Sequence, residues 1–379
     1  MNSFKKGLSL LILSFILSAC GGARISESAT VQLRFLDEYI IPKDLKVDEN
    51  LIGGLSDLDY DGEYFYTVSD IPRNPMIYKM AIEVEGNKIS KVDFVEGIRI
   101  QNKTEATKGL AFDSEGINFN RDSNTFTVSS EGSIRYKKDP FIVDIDSAGT
   151  ILDFYEIPEY FLSSNEKGLR NNGVFEGLTH STDKEGIWVA TELPMISDGP
   201  RAQLFKTKSP VRFTYFNKTS KHPEKQFAYN LGRIRKAPLL PFAINGVSGI
   251  LEIAPDQFLV IERAFSAGHS NRGNRVMIYL ADAGNATNTL EEESLKSKIG
   301  KTIIPASKKL IFDFNSVQSK LKKGFVDNIE GIAFGPLLPN GNQSILLISD
   351  NNFNAYNEQI NQIILMEIST NIPHLKNAK

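Results

Sequence analysis

Short apolar runs that stop on an acid punctuate this chain. "YFYTVSD" ends at Asp70, "TFTVSSE" at Glu131, "GIWVATE" at Glu192 and "ILLISD" at Asp350, while "QFLVIER" carries Glu262. Runs of this length, rich in β-branched and aromatic residues and bounded by Gly, Asp and Asn, predict strands. A second element precedes each of them: "GGLSDLDYDG" from Gly53, "KGLAFDSEG" from Lys108, "FEGLTHSTDKEG" from Phe175, "GVSGILEIAPDQ" from Gly246 and "NIEGIAFGPLLPNG" from Asn328. The shared pattern is Gly, then Leu or Ile, a few strand residues, a polar turn, and the acid-bearing strand. The acids are 61, 61, 70 and 88 residues apart, a period that suits a four-stranded unit with variable outer loops.

Two further strands follow each of the first four acids, for example "MIYKMAIEV" and "KVDFVEGIRI" after Asp70. After Asp350 only "QIILMEI" follows. The strand missing from that last unit is supplied by "VQLRFLDEYI", Val31–Ile40, which would close a ring by pairing the two ends of the chain and removing the exposed edge. The expected fold is all-β, a β-propeller of four-stranded blades. Five units recur, and an insertion around 193–245 leaves room for a sixth or more. A β-sandwich or a pair of β domains is the competing architecture. No long amphipathic helix is predicted; "EEESLKSK" is at most a surface turn.

Composition changes this picture at the N-terminus. Lys5 and Lys6 precede the apolar stretch Leu8–Leu17, which is too short to span a bilayer and matches a signal peptide over residues 1–19. "LSAC" then resembles a bacterial lipoprotein cleavage box, and the chain's one cysteine, Cys20, stands at its end. The expectation is a lipidated Cys20, a small polar tether over 20–30, and a propeller domain over 31–370. Anchoring would place the protein in a bacterial cell envelope, on the outer membrane or periplasmic face of a Gram-negative source. A net charge of −3 gives no basic face for nucleic acid, and a monomer is expected.

The stretches "GGLSDLDYDGEYFYTVSD", "EATKGLAFDSEGINF" with "TVSSEGSIR", "NNGVFEGLTHS" with "IWVATE", "VSGILEIAPDQFLVIER", and "DNIEGIAFG" with "LLISDNNF" resemble the phytase-like family, described as having an esterase-like activity of phytase. They run from about residue 53 to 354. The resemblance implies a secreted or cell-envelope propeller with a phosphoesterase or esterase role.

In a propeller, acids repeated at one structural position form a ring at a channel mouth. Asp70, Glu131, Glu192, Glu262 and Asp350 are therefore candidate metal ligands, with amide oxygens from Asn172, Asn351 and Asn352 beside them. Crowded carboxylates repel, and a hard cation relieves that repulsion; Ca²⁺ takes six to eight oxygens. The four histidines have no zinc-like spacing. The same acids could instead accept backbone hydrogen bonds and staple blade to blade. Glu176 and Glu330, each before a Gly, His180 in "GLTHS" and Arg263 are candidate catalytic groups. Arg73, Arg135, Arg201, Arg272 and His269 lie near the repeats and are weaker candidates. No G-x-S-x-G elbow or H-E-x-x-H motif occurs, and "IGKT" lacks the first P-loop glycine. The expected activity is metal-dependent hydrolysis of a phosphate mono- or diester by a metal-activated water. Alternatives are a non-catalytic propeller that binds a ligand or protein, and a lactonase-like calcium esterase.

Overall fold

Each blade begins where strand-forming residues meet a Gly-rich entry. The computed structural model describes residues 30–376 apart from 103, 106 and 354–358. The expected signal peptide, Cys20 and the tether up to residue 29 lie outside the described residues. The first strand, β1 (Val31–Ile40), is followed by a small hairpin of β2 (Lys46–Val47) and β3 (Asn50–Leu51). Blade I then comprises β4 (Leu55–Tyr60), β5 (Phe65–Ser69), β6 (Met76–Glu85) and β7 (Lys88–Arg99). Blade II is β8 (Ser114–Asn120), β9 (Thr125–Ser130), β10 (Phe141–Asp146) and β11 (Ile151–Phe154). Blade III is β12 (Phe175–His180), β13 (Gly186–Thr191), β14 (Pro210–Asn217) and β15 (Pro223–Asn230). Blade IV is β16 (Ala243–Ala254), β17 (Gln257–Ser266), β18 (Asn274–Asp282) and β19 (Ser307–Asp313). Blade V is β20 (Asn328–Leu337), β21 (Gln343–Asp350) and β22 (Gln362–Thr370), and β1 is its fourth, outer strand.

The molecule is a five-bladed β-propeller. No sixth blade forms from 193–245, because that stretch supplies the two outer strands of blade III and its loops. Val31 pairs with Thr370 and Ile40 with Gln362, so the predicted end-to-end closure holds at the predicted residues. The inner element of blade II differs from the expectation: the strand starts at Ser114, and 108–113 form the turn and loop that lead into it.

The core consists of five wedges, one between each pair of neighbouring blades. Trp188, Phe213 and Phe227 of blade III, for example, meet Val247, Phe258 and Val260 of blade IV. Burying each such side chain stabilises by roughly 1.5–3 kcal/mol. No disulfide contributes within this region, since the one cysteine lies outside it.

The inner strands β4, β8, β12, β16 and β20 pack side by side around the axis. All five carry a register shift at the same level, between Ser56 and Asp59, Ser114 and Gly116, Phe175 and Gly177, Val247 and Gly249, and Ile329 and Gly331. Four of these bulges contain a glycine because the strands crowd there. A Cβ on Gly331 would lie 2.4 Å from Cα of Asp57. Asp57 itself fills the glycine position of blade I, fully buried, at a φ of 54°.

Candidate functional site

The bulges set the chemistry of one channel mouth. A bulge re-aims the side chain at its kink, and one cavity is lined by Glu115, Glu176 and Glu330, each before its bulge glycine, and by Ser56 before Asp57; Ser248, before Gly249 of blade IV, is buried. The ends of the second strands add Asp70, Glu131, Glu192 and Asp350, and Asp113 enters from the loop before β8. Eight carboxylates thus surround a cavity of about 330 Å³, with Arg263 as its one lining cation among the described residues.

Four of the five expected ring acids stand in this cavity. The fifth, Glu262, does not. β17 continues through Ser266 instead of stopping at the acid, and the pairing sets Glu262 level with Ser69, Ser130, Thr191 and Ser349 of the other blades. A one-residue offset reverses the face of a strand. Glu262 is therefore fully buried among Tyr229, Gly232, Asn245 and Lys308, accepting 2.7 Å from the Tyr229 hydroxyl and 2.9 Å from the Gly232 N–H. The ring position of blade IV belongs to Arg263.

Some ring acids also staple blades. Glu131 accepts through Oε1 from the N–H groups of Gly173 and Val174, at 2.9 and 2.6 Å, at the entry to blade III. Asp350 of blade V accepts from Leu55 N–H of blade I at 3.1 Å, and from Asn352 N–H at 2.7 Å.

The cavity is electrostatically two-sided. On one side Arg263 lies 3.3 Å from Glu330 Oε1 and 3.6 Å from Glu192 Oε1, and donates to the Asn328 side chain. Burial works against its charge, but Glu330, Glu192, Glu176 and Glu115 outweigh it and hold the guanidinium protonated. On the other side Asp113, Glu115 and Glu131 bring carboxylate oxygens within 4.8 Å of one another. Burial raises the whole set, and repulsion between carboxylates adds to it at all but Asp70 and Glu192. Asp113 is pushed up to about 6 by burial and Asp70, and Asp350 to about 7 by burial and Asp70. Glu115 and Glu176 rise well above the ordinary carboxylate range, as do Glu131, Glu192 and Glu330 despite the backbone bonds or Arg263 that oppose the shift. Glu330 Oε2 is buried without a hydrogen-bond partner.

The donor set tests the expected cation. The lining offers carboxylates and the amides of Asn172, Asn274, Asn328, Asn352 and Gln359, and contains no His or Cys among the described residues. Hard oxygen donors in this number suit Ca²⁺ and disfavour zinc. Asn351 sits in the adjoining turn, its amide oxygen accepting from Phe353 N–H at 3.0 Å.

His180 stands elsewhere. It follows Glu176 by four residues along β12, about 13 Å at a strand's rise per residue, and opens on the opposite mouth. Among the described residues Arg73, Arg135, Arg201, Arg272 and His269 do not line the acid cavity, although Arg201 lies close enough to lower Glu192. Asp113 and Glu115 were not singled out by the sequence reading. Their signal was present: "EGINF" matches "EGLTH" and "EGIAF", and Glu115 precedes Glu131 by 16 residues, as Glu176 precedes Glu192.

The stretch that carries the acid-ended hairpins and the Glu-Gly bulges falls within a family match. The family described as phytase-like, esterase-like activity of phytase, matches residues 50–353. This chain belongs to the phytase-like family. Among curated protein sequences no relative matches. Of solved structures, the PQQ-bound aldose sugar dehydrogenase of Streptomyces coelicolor is 10% identical with a TM-score of 0.38, covering 90% of this phytase-like chain and 99% of its own. The glutaminyl cyclase of Myxococcus xanthus is 10% identical with a TM-score of 0.39, covering 89% and 96%. The catalytic domain of the Coprinopsis cinerea GH62 α-L-arabinofuranosidase is 10% identical with a TM-score of 0.44, covering 89% and 97%. Likeness at that level adds nothing to the fold read from the strands.

Proposed function

We propose that this phytase-like propeller is a metal-dependent phosphoric ester hydrolase, with Ca²⁺ as its cation. The observation that carries the reading is the division of one cavity into an acid-only side and an Arg-bearing side. Asp113, Glu115 and Glu131 would hold the cation, with Asp70 and Asp350 near them. When bound, a hard cation neutralises these carboxylates and polarises a phosphoryl oxygen. Arg263 is a planar donor on the cavity wall, already held by Glu330 and Glu192, and would orient a phosphate on the facing side. Glu330, whose pKa burial raises to about 8 against the pull of Arg263, lines the same cavity and would pass a proton to a leaving alkoxide. Glu176, with a carboxyl of the same kind in the same cavity, is placed to exchange a proton with water. The reading includes placement in the cell envelope through a lipid on Cys20, which mass spectrometry of the N-terminal peptide tests.

The test is calorimetric titration of the protein with CaCl₂, with hydrolysis of p-nitrophenyl phosphate and bis(p-nitrophenyl) phosphate followed in the same samples. Saturable Ca²⁺ binding with Ca²⁺-dependent turnover that Arg263→Met abolishes supports the proposal. Binding without turnover reduces the site to an ion that holds blades together. No binding overturns the metal assignment.

A further inference from the structure

The channel has a second mouth, and its chemistry differs from that of the first. Past the bulges the inner strands present Leu58, Leu178, Leu251, Ile332 and Phe334 to a cavity of about 1230 Å³. This exceeds the acid cavity and joins an apolar floor to a polar rim that carries both acids and cations. At its wall His180 bridges two charged residues. Its Nε2 lies 3.2 Å from Asp59 Oδ2, and its Nδ1 lies 3.0 Å from Lys218 Nζ. Asp59 is fixed in turn by the Phe119 N–H at 2.6 Å. The carboxylate holds the Nε2 proton, so Nδ1 accepts from the ammonium.

Lys218 is the unusual member. Its direct partners are neutral, the imidazole and the Lys184 carbonyl at 3.2 Å, and among the described residues no carboxylate lies within ion-pair distance of it. Of the other cationic side chains at this mouth, Lys221 pairs with Asp144 and Arg121 donates to the Asp61 carbonyl, while Lys184 stands on the rim. The nearby acids are largely engaged as well, Asp144 with Lys221 and Glu252 with two backbone N–H groups. Burial penalises the Lys218 ammonium more than the distant Asp59, Asp144, Asp183 and Asp122 support it. A desolvated ammonium without a counter-ion beside an apolar floor is complementary to a group carrying one negative charge and an apolar body.

We propose that this mouth binds an amphiphilic monoanion, a carboxylate on an apolar body, with Lys218 meeting the carboxylate and the inner-strand floor meeting the body. A single ammonium matches a single charge. A phosphate dianion would leave excess charge facing Asp59 and Asp144.

The test compares three probes of one shape, 2-naphthoate, neutral 2-naphthol and cationic 2-naphthylmethylamine, titrated calorimetrically into the full chain and into its Lys218→Met variant. The expected order in the wild type is naphthoate, then naphthol, then the amine. Lys218→Met should weaken naphthoate by about tenfold or more and leave naphthol within about twofold. An unchanged circular dichroism spectrum and an unchanged Ca²⁺ titration certify the variant's fold. Equal affinity for naphthoate and naphthol in the wild type overturns the proposal. So does naphthoate binding that Lys218→Met leaves intact, or no saturable binding of naphthoate at millimolar concentration.

Discussion

Glu131 makes both of its backbone hydrogen bonds through one oxygen, which separates its structural duty from its charge. Burial raises its pKa to about 8, with Glu192 and Asp113 adding to the shift, so Glu131→Gln mimics the neutral form that the cation-free protein already favours. This variant should keep its melting temperature within about 2 °C while Ca²⁺ affinity, read by calorimetry, falls by about tenfold or more. Glu262 should behave oppositely. Removing it strands Lys308 and three donors inside the blade, so Glu262→Ala should cost about 3–5 kcal/mol in urea denaturation and leave Ca²⁺ affinity unchanged in the protein that remains folded. Four of the ring acids were legible because each strand stops at its acid. Blade IV broke that rule: its strand runs four residues past Glu262, and only the pairing shows which of Glu262 and Arg263 faces the axis. Asp113 and Glu115 read as turn residues because "DSEG" has turn composition, although its Glu-Gly pair opens a strand.

At the scale of elements, the bulges and the closing strand carry the architecture. Gly331→Ala sets a methyl against the Asp57 backbone, which cannot move aside as a flexible side chain would. A loss of about 1–3 kcal/mol is expected from chemical denaturation, together with weaker Ca²⁺ binding, since Glu330 shares the bulge. Removing β1 exposes the ladder of β22 and uncovers apolar residues such as Met366 and Ile368. A chain starting after Ile40 should therefore elute as aggregate in size-exclusion chromatography. This closure was legible by counting, because two strands followed the last inner element where three were due. The bulges were not: register is a property of two strands, and a single glycine in a sequence does not say what it faces. The same limit applied to His180. Its strand was recognised, but the six-residue length of β12 separates its two ends by the thickness of the ring.

At the scale of the molecule, the acid mouth ties stability to pH and cation. The folded, cation-free protein holds protons on carboxyls that the unfolded chain releases near pH 4, with Asp113 raised to about 6 and Asp350 to about 7. A carboxyl whose pKa rises on folding stabilises at low pH, and that contribution is lost as pH climbs through the folded value. In EDTA, melting temperature should therefore fall between about pH 6 and 8, where these groups ionise against one another. Ca²⁺ competes with those protons, so its stabilisation should grow over the same range. At saturating Ca²⁺ the gain in a thermal scan should reach about 5 °C at pH 8 and shrink towards pH 5.5. The route by which the chain enters the ring also sets how it would stand in the cell. Thr30 N–H bonds to the Asn371 side chain at 2.8 Å, beside the Val31–Thr370 pair, and β21 and β22 run between that rim and the acid mouth. Whatever holds the residues before Thr30 grips the ring on the side away from the carboxylates. A surface attached there would leave the acid funnel pointing outward, like a cup standing on its base, open to solutes that drift past and hard for the attached surface itself to reach.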